Sequence, residues 1–334
     1  MKAIVTPGPR PIADPGALIA VEAPEPALGP RDLLVEIKAV ALNPVDFKVR
    51  LSRTPGDGAP AILGYDAAGV VTAVGPEVSL FKAGDEVFYA GQINRPGSNA
   101  ERQAVDERIV GPKPRSLSFT EAAALPLTSL TAWELLFDRM RADADEDETL
   151  LIVGGAGGVG SALIQIARAT TRLRVVATAS RPETRDWSLG LGAHAVIDHS
   201  GPLDEALAAA GERAPKYVAA LTQTPRHFEA LTRAVAPQGM IGIIDAVPPG
   251  PFDALRSKSV GLALESMFTR SVQGTPDMIR QHRILKEVAA LVDAGRIRTT
   301  LTGELGPMSA ESLVEGHRRL ESGTTVGKLA LTGF

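Results

Sequence analysis

The segment LLIVGGAGGVGSALIQIAR (150–168) limits the fold more than any other part of the chain. A short apolar run, suited to a buried strand, leads into clustered glycines, and a helix-period pattern follows. Gly155, Gly157 and Gly160 satisfy G-x-G-x-x-G in this strand–turn–helix setting, which is what gives the spacing its meaning. Each glycine has an expected task. Gly155 makes the tight turn, Gly157 lets backbone approach a pyrophosphate, and Gly160 lets helix and strand pack closely. The helix start at Gly158 and Val159 offers N–H groups and partial positive charge to the phosphates. The plainer reading is a glycine-rich turn that binds nothing.

The surrounding pattern supports a dinucleotide fold. After this unit come the strand RVVATAS, a helical stretch through TRDWSLGLG, the strand AVIDH, the helix LDEALAAAGER, the strand KYVAAL, the helix FEALTRAV and the strand MIGIIDA. Strands alternating with helices predict a parallel sheet covered on both faces. Residues up to about 120 read instead as short β-strands. From 120 the stretch FTEAAALPLTSLTAWELLFDRM is helical, with Thr120 as expected N-cap, and RADADEDE (141–148) reads as a solvated acidic connector. Beyond 260 come LALESMFTR, a long helix in TPDMIRQHRILKEVAALVDAG and a last strand, VGKLALTG. The 334 residues suit two domains.

The strand RVVATAS bears on which nucleotide binds. A site for a free ribose 2′-hydroxyl has an Asp or Glu about 20 residues past the glycines. Here Ala179, Ser180 and Arg181 stand at that point, with Arg185 nearby. Ser180 and the two guanidinium groups suit a 2′-phosphate, and so NADPH. The alternative is that they are ordinary surface residues.

Composition removes other classes. A net charge of −4 gives no basic surface for nucleic acid or an anionic membrane. No apolar run approaches the roughly 20 residues of a bilayer span, and the N-terminus lacks an apolar signal core, so a soluble cytoplasmic protein is expected. The chain has no cysteine, which excludes disulfides and thiolate metal sites. His194 and His199 flank AVID, while His227, His282 and His317 fall in helical patterns read as surface, so no metal site is expected.

ALNPVDFKVR, LGYDAAGVVTAVG, AALPLTSLTAWELL, GGAGGVGS and VGKLAL, in this order, resemble the medium-chain dehydrogenase/reductase superfamily, and most closely its quinone oxidoreductase-like branch. The resemblance implies an α/β chain with a GroES-like, β-rich catalytic domain from residues 1–122 together with 262–334, and a Rossmann domain, a doubly wound parallel sheet, from 123–261. It implies an active cleft between them and a homodimer, for which the apolar edge near LALESMF is the candidate contact. Zinc-dependent relatives carry Cys where this chain has Asn43 and His where it has Tyr65, so the resemblance does not carry zinc with it. By the same resemblance Thr131 approaches the nicotinamide, Phe268 faces the substrate cleft and Lys328 approaches the cofactor. Their plainer roles are helix cap, core aromatic and solvated strand-end charge.

Without zinc ligands the sequence offers no strong Lewis acid for an alkoxide. Reduction of an activated C=C remains open: a hydride reaches the β-carbon of an enone or quinone, and charge collects on the carbonyl oxygen, which needs donors. Tyr65 is read either as that donor or as a wall of the nicotinamide site. Asn43 is expected to orient nicotinamide or bind the carbonyl, and Asp46 to fix its loop. Asp66 reads as a turn-stabilising side chain. The expected function is therefore an NADPH-dependent reductase of small quinones or enones. A metal-dependent alcohol dehydrogenase and a redox-sensing nucleotide-binding protein with little turnover are the alternatives.

Overall fold

The structure is a computed structural model describing residues 1–52, 60–247 and 249–334. The chain divides into two compact units, one of Met1–Leu127 with Phe268–Phe334, the other of Thr128–Met267.

The first unit is β-rich. Strand β1 (Lys2–Thr6) pairs antiparallel with β2 (Ile19–Glu22). The longest strand, β3 (Asp32–Ala41), leads through Leu42 and Asn43 into helix α1 (Pro44–Ser52). Pro44 suits the first helical position because its missing N–H has no intrahelical partner there anyway. Strand β4 (Ala61–Ile62) adds to β1, and the turn through Gly64 and Tyr65 enters β5 (Ala67–Val74). Gly64 sits at φ +108, and a Cβ there would lie 2.5 Å from Ser98 Oγ, so only glycine fits the turn that aims Tyr65. Strands β6 (Glu86–Tyr89), β7 (Arg102–Asp106) and β8 (Val110–Pro112) follow. Helix α2 (Phe119–Ala123) is capped by Ser118 in a capping box with Glu121, not by Thr120, because Ser118 Oγ is the group that reaches Glu121 N. Pro126, which disfavours helix at the residue before it, separates α2 from α3 (Pro126–Trp133), and a π-helical turn, Glu134–Arg139, continues α3.

The second unit alternates as expected. Its elements are β9 (Thr149–Val153), α4 (Gly158–Thr170), β10 (Arg174–Thr178), α5 (Pro182–Gly190), β11 (Ala195–Ile197), α6 (Leu203–Ala209), β12 (Tyr217–Ala220), α7 (Thr224–Ala234), β13 (Met240–Ile243), α8 (Phe252–Ser257) and β14 (Gly261–Leu264). The strands form one parallel sheet in the order β11-β10-β9-β12-β13-β14, so the sequence of strands reverses beside β9. All five β9 residues are buried, and Leu151, Val153, Val176, Val218 and Ile241 share one core. Ligands of such sheets bind outside the carboxyl ends of the strands at this reversal.

The chain then returns to the first unit with α9 (Thr269–Gln273), α10 (Arg280–Asp293), β15 (Leu301–Pro307), α11 (Ala310–Glu321) and β16 (Lys328–Thr332). β16 pairs antiparallel with β3, completing a sheet of order β15-β16-β3-β5-β6-β8 with β7 added on β3. The unit limits fall at 127/128 and 267/268 instead of 122/123 and 261/262. The later limit moves because β14 pairs with β13, so its residues stay with the parallel sheet.

Two histidines expected at the surface are buried. His227 lies on the inner side of α7, and His317 of α11 accepts from Arg50 Nε at 3.3 Å. Burial and the adjacent guanidinium lower His317 to about 3, so it stays neutral.

The second unit also holds a buried acidic pair. Arg139 Nε lies 2.6 Å from Glu265 Oε2, and its Nη2 3.5 Å from Glu134 Oε2. Burial and the Glu134 carboxylate push Glu265 up to about 8 against the pull of Arg139. A carboxyl raised on folding binds a proton that the unfolded chain releases near its ordinary value of 4.5. Its stabilising contribution is therefore complete in acid and is lost as pH rises toward about 8. The melting temperature of the wild type should fall between pH 6 and pH 9, and that of Glu265→Gln should fall less. Parallel melting curves across this range would count against a raised Glu265 carboxyl.

Candidate active site

The glycine loop after β9 is held by its neighbour. Gly154 N donates to Thr178 Oγ1 at 3.0 Å, and Gly155 N to Thr178 O at 3.1 Å. The tight turn falls on Gly154, at φ +86, and not on Gly155 as expected. Gly155 serves packing instead: a Cβ there would stand 2.7 Å from Ala177 Cβ. Gly160 has its expected role, since a Cβ would lie 2.2 Å from Gly154 O. Around Gly157 the space is open, the nearest atom to a Cβ being Gly154 O at 3.6 Å. Gly157 is also the N-cap of the 13-residue helix α4 and has no side chain to satisfy the N–H groups of the first turn, where Gly158 and Val159 lie. An open cradle facing unsatisfied donors fits a dinucleotide pyrophosphate. Thr178, whose Oγ1 also meets His199 Nδ1 at 2.8 Å, was missed by the motif because its contacts run across strands.

At the end of β10 Ser180 is exposed, and Arg181 caps α5 through Thr184, which donates to Arg181 O at 2.8 Å. Arg181 Nε lies 3.2 Å from Glu183 Oε1. Arg185 Nη1 donates to Val196 O at 2.6 Å, which ties that residue back onto β11. Thr131 is buried on α3.

The expected catalytic residues meet in the first unit around Asp66. Asn43 Nδ2 donates to Asp66 Oδ2 at 2.8 Å, and Lys328 Nζ donates to the same oxygen at 2.8 Å. Asp66 Oδ1 accepts from Leu127 N, in the first turn of α3, at 2.8 Å. Lys328 Nζ also donates to Asn43 Oδ1 at 2.5 Å and to Leu42 O at 2.8 Å. Both ends of the Asn43 amide are thus engaged inside the protein. Lys328 is only 3% exposed, which is not the solvated strand-end charge that its position suggested. Asp46 Oδ2 accepts from Asn43 N at 2.7 Å and so fixes the loop as expected. Burial lifts Asp46 to about 7 while the Asn43 N–H and Lys328 pull the other way, and burial also raises Asp66. Tyr65 is buried, its ring edge-on to Phe268 at a centroid distance of 5.6 Å. Asp66, read from the sequence as a turn-stabilising side chain, is the residue on which these groups converge.

The comparisons with known proteins agree with this architecture. Residues 29–128 match the alcohol dehydrogenase GroES-like domain, and residues 191–331 the zinc-binding dehydrogenase family. A zinc-type alcohol dehydrogenase-like protein of Staphylococcus epidermidis is 38% identical over 90% of both chains. A 2-methylene-furan-3-one reductase of Solanum lycopersicum is 32% identical over 90% of this chain and 71% of its own. Among solved structures, a candidate zinc-dependent alcohol dehydrogenase of Rhizobium etli superposes with a TM-score of 0.96 at 52% identity, covering 100% of this chain and 98% of that one. The quinone oxidoreductase of Coxiella burnetii gives 0.81 at 25%, covering 99% and 98%. The chain belongs to the medium-chain dehydrogenase/reductase superfamily, in its quinone oxidoreductase-like branch. It is an oxidoreductase of α/β class, with a GroES-like domain and a Rossmann-like parallel-sheet domain.

The family description implies zinc, and the residues here do not fit it. The chain has no cysteine, and among the described residues no three His, Asp or Glu side chains cluster as a metal would need. Of the two carboxylates beside Asn43, Asp66 already receives an ammonium and two N–H groups, and Asp46 accepts the Asn43 N–H.

The two glycines separate ligand approach from folding. Gly157→Ala should weaken dinucleotide binding tenfold or more and leave the melting temperature within a few degrees, because its methyl enters only the open cradle. Gly160→Ala should lower both. Titration by tryptophan fluorescence and thermal melts distinguish them, and equal affinity of Gly157→Ala and wild type would remove the cradle from the site.

Proposed function

We propose that the protein is an NADPH-dependent, metal-independent reductase of quinones or α,β-unsaturated carbonyls. The observation that carries this reading is the fixed ammonium–carboxylate pair of Lys328 and Asp66, together with the lack of any metal-ligating cluster among the described residues. The likeness to a furanone reductase and a quinone oxidoreductase supports the reaction class. NADPH, which the cradle at Gly157 with Ser180 and Arg181 would hold, would supply the hydride that the β-carbon of the acceptor takes up, being itself oxidised to NADP⁺. The chain's task is then to hold the acceptor and exclude water while a proton reaches the α-carbon, or the second oxygen of a quinone.

Asn43 and Asp46 serve as positioning residues, since their polar groups are turned to Lys328, Asp66 and each other. Tyr65, enclosed and packed on Phe268, is read as a wall of the site, with solvent as the proton source. Ser180 and Arg181, at the point where a ribose-binding acid would stand, support NADPH over NADH. Within the same proposal the protein works in the cytoplasm as a homodimer on small molecules. Among the described residues no helix is long and apolar enough to cross a membrane.

Arg181→Ala should weaken NADPH at least tenfold and barely change NADH, since one charge-assisted contact contributes about 1.5–3 kcal/mol. Equal affinity of the wild type for both coenzymes would end the claim for NADPH. Tyr65→Phe should change enone turnover by no more than a few-fold. A loss of about a hundredfold, the scale of a deleted oxyanion donor at about 2.7–4 kcal/mol, would make Tyr65 the donor after all. Chelators should leave both reactions unchanged. Stoichiometric zinc, with activity lost on its removal, would replace this reading by a metal-dependent alcohol dehydrogenase.

A further inference from the structure

The surroundings of Lys328 resemble the coordination of an ion more than a surface salt bridge. Its ammonium has three N–H donors, and three oxygens accept them: Leu42 O at 2.8 Å, Asn43 Oδ1 at 2.5 Å and Asp66 Oδ2 at 2.8 Å. Both charged side chains are almost fully shielded, at 3% and 0% exposure. The oxygens have supports of their own. Asn43 is held by Asp46 Oδ2 through its N–H and by Asp66 through its amide, and Asp66 by Leu127 N. The cage therefore has a shape that Lys328 fills and does not alone create. Three oxygens, one of them from a carboxylate that is already paired, are too few for calcium, which takes 6–8 oxygens, and magnesium demands near-octahedral geometry. They match a singly charged ion with three protons to donate.

We propose that the Lys328 ammonium is the resident cation of this site, a tethered ion in an all-oxygen cage, and that cutting the tether leaves a binding site for a small primary alkylammonium ion. The inference rests on the metal-free reading of the site but not on the choice of substrate, because it is read out by stability and not by turnover.

The test uses the full chain with Lys328→Ala, melted with and without propylammonium or tetramethylammonium. Removing one partner of a buried pair leaves an uncompensated charge, so the variant should melt roughly 6–20 °C lower than the wild type. Millimolar propylammonium should restore most of that loss and leave the wild type unmoved. Tetramethylammonium carries the same charge without N–H donors and should restore nothing. Absence of recovery with propylammonium, or equal recovery with both ions, overturns the proposal. If Lys328→Ala does not fold, the double variant Lys328→Met/Asp66→Asn decides, because it removes both charges together. Recovery of a folded protein is expected, and failure equal to that of the single variant overturns the proposal. Zinc in the purified wild type would sink this inference together with the metal-free reading. A zinc-free protein without amine recovery would sink this inference alone.

Discussion

The ion pair between Lys328 and Asp66 joins residues 262 positions apart and fixes three separate pieces of chain at one point. Through Asp66 it reaches the first turn of α3, through Asn43 the start of α1, and through its own backbone the last strand. Buried pairs of this kind add little to net stability compared with apolar residues of the same shape, but breaking one is costly. Its effect is to make alternatives expensive: any arrangement that leaves either charge without the other, or leaves Asn43 turned outward, buries an unmatched polar group. Asn43, Asp46 and Tyr65 take their positions within this constraint.

The nucleotide-binding unit obeys a constraint of a different kind. Its loop depends on the absence of side chains, with Gly160 and Gly155 letting backbone and neighbouring strand approach, and Gly154 supplying the turn. Thr178 then converts a run of glycines, the residues with most conformational freedom to lose, into one fixed path by accepting from the N–H groups of Gly154 and Gly155. In one unit precision comes from charge, in the other from shape.

How much of this the sequence reveals follows the range of the interactions. Alternation of strands and helices and the spacing of Gly155, Gly157 and Gly160 are local, so the parallel sheet and the cradle were legible. The Gly154 turn was not, because four adjacent residues, Gly154, Gly155, Ala156 and Gly157, permit more than one turn register. The helix cap at Ser118 lost to Thr120 for a similar reason: both hydroxyls precede the same apolar run, and only the three-residue reach to Glu121 separates them. His317 reads as exposed, and a solvated charge is the plainer reading of Lys328, because a histidine on an amphipathic helix, or a charged residue at a strand end, looks solvated until the distant partner is known. Asp66 reads as a turn residue for the same reason, since its donors come from residues 43, 127 and 328.

The threading of the chain also sets an order of events during synthesis. The parallel-sheet unit is complete once Met267 has emerged, whereas the unit that begins the chain still lacks β15 and β16. Asp66 leaves the ribosome 262 residues ahead of its ammonium, an interval of roughly 13–50 s at about 5–20 residues per second. Over that interval β3 presents an unpaired edge where β16 will lie, and a carboxylate without its counter-ion. Until Lys328 arrives, the Asp66 carboxylate has only water and the Asn43 and Leu127 N–H groups to satisfy it.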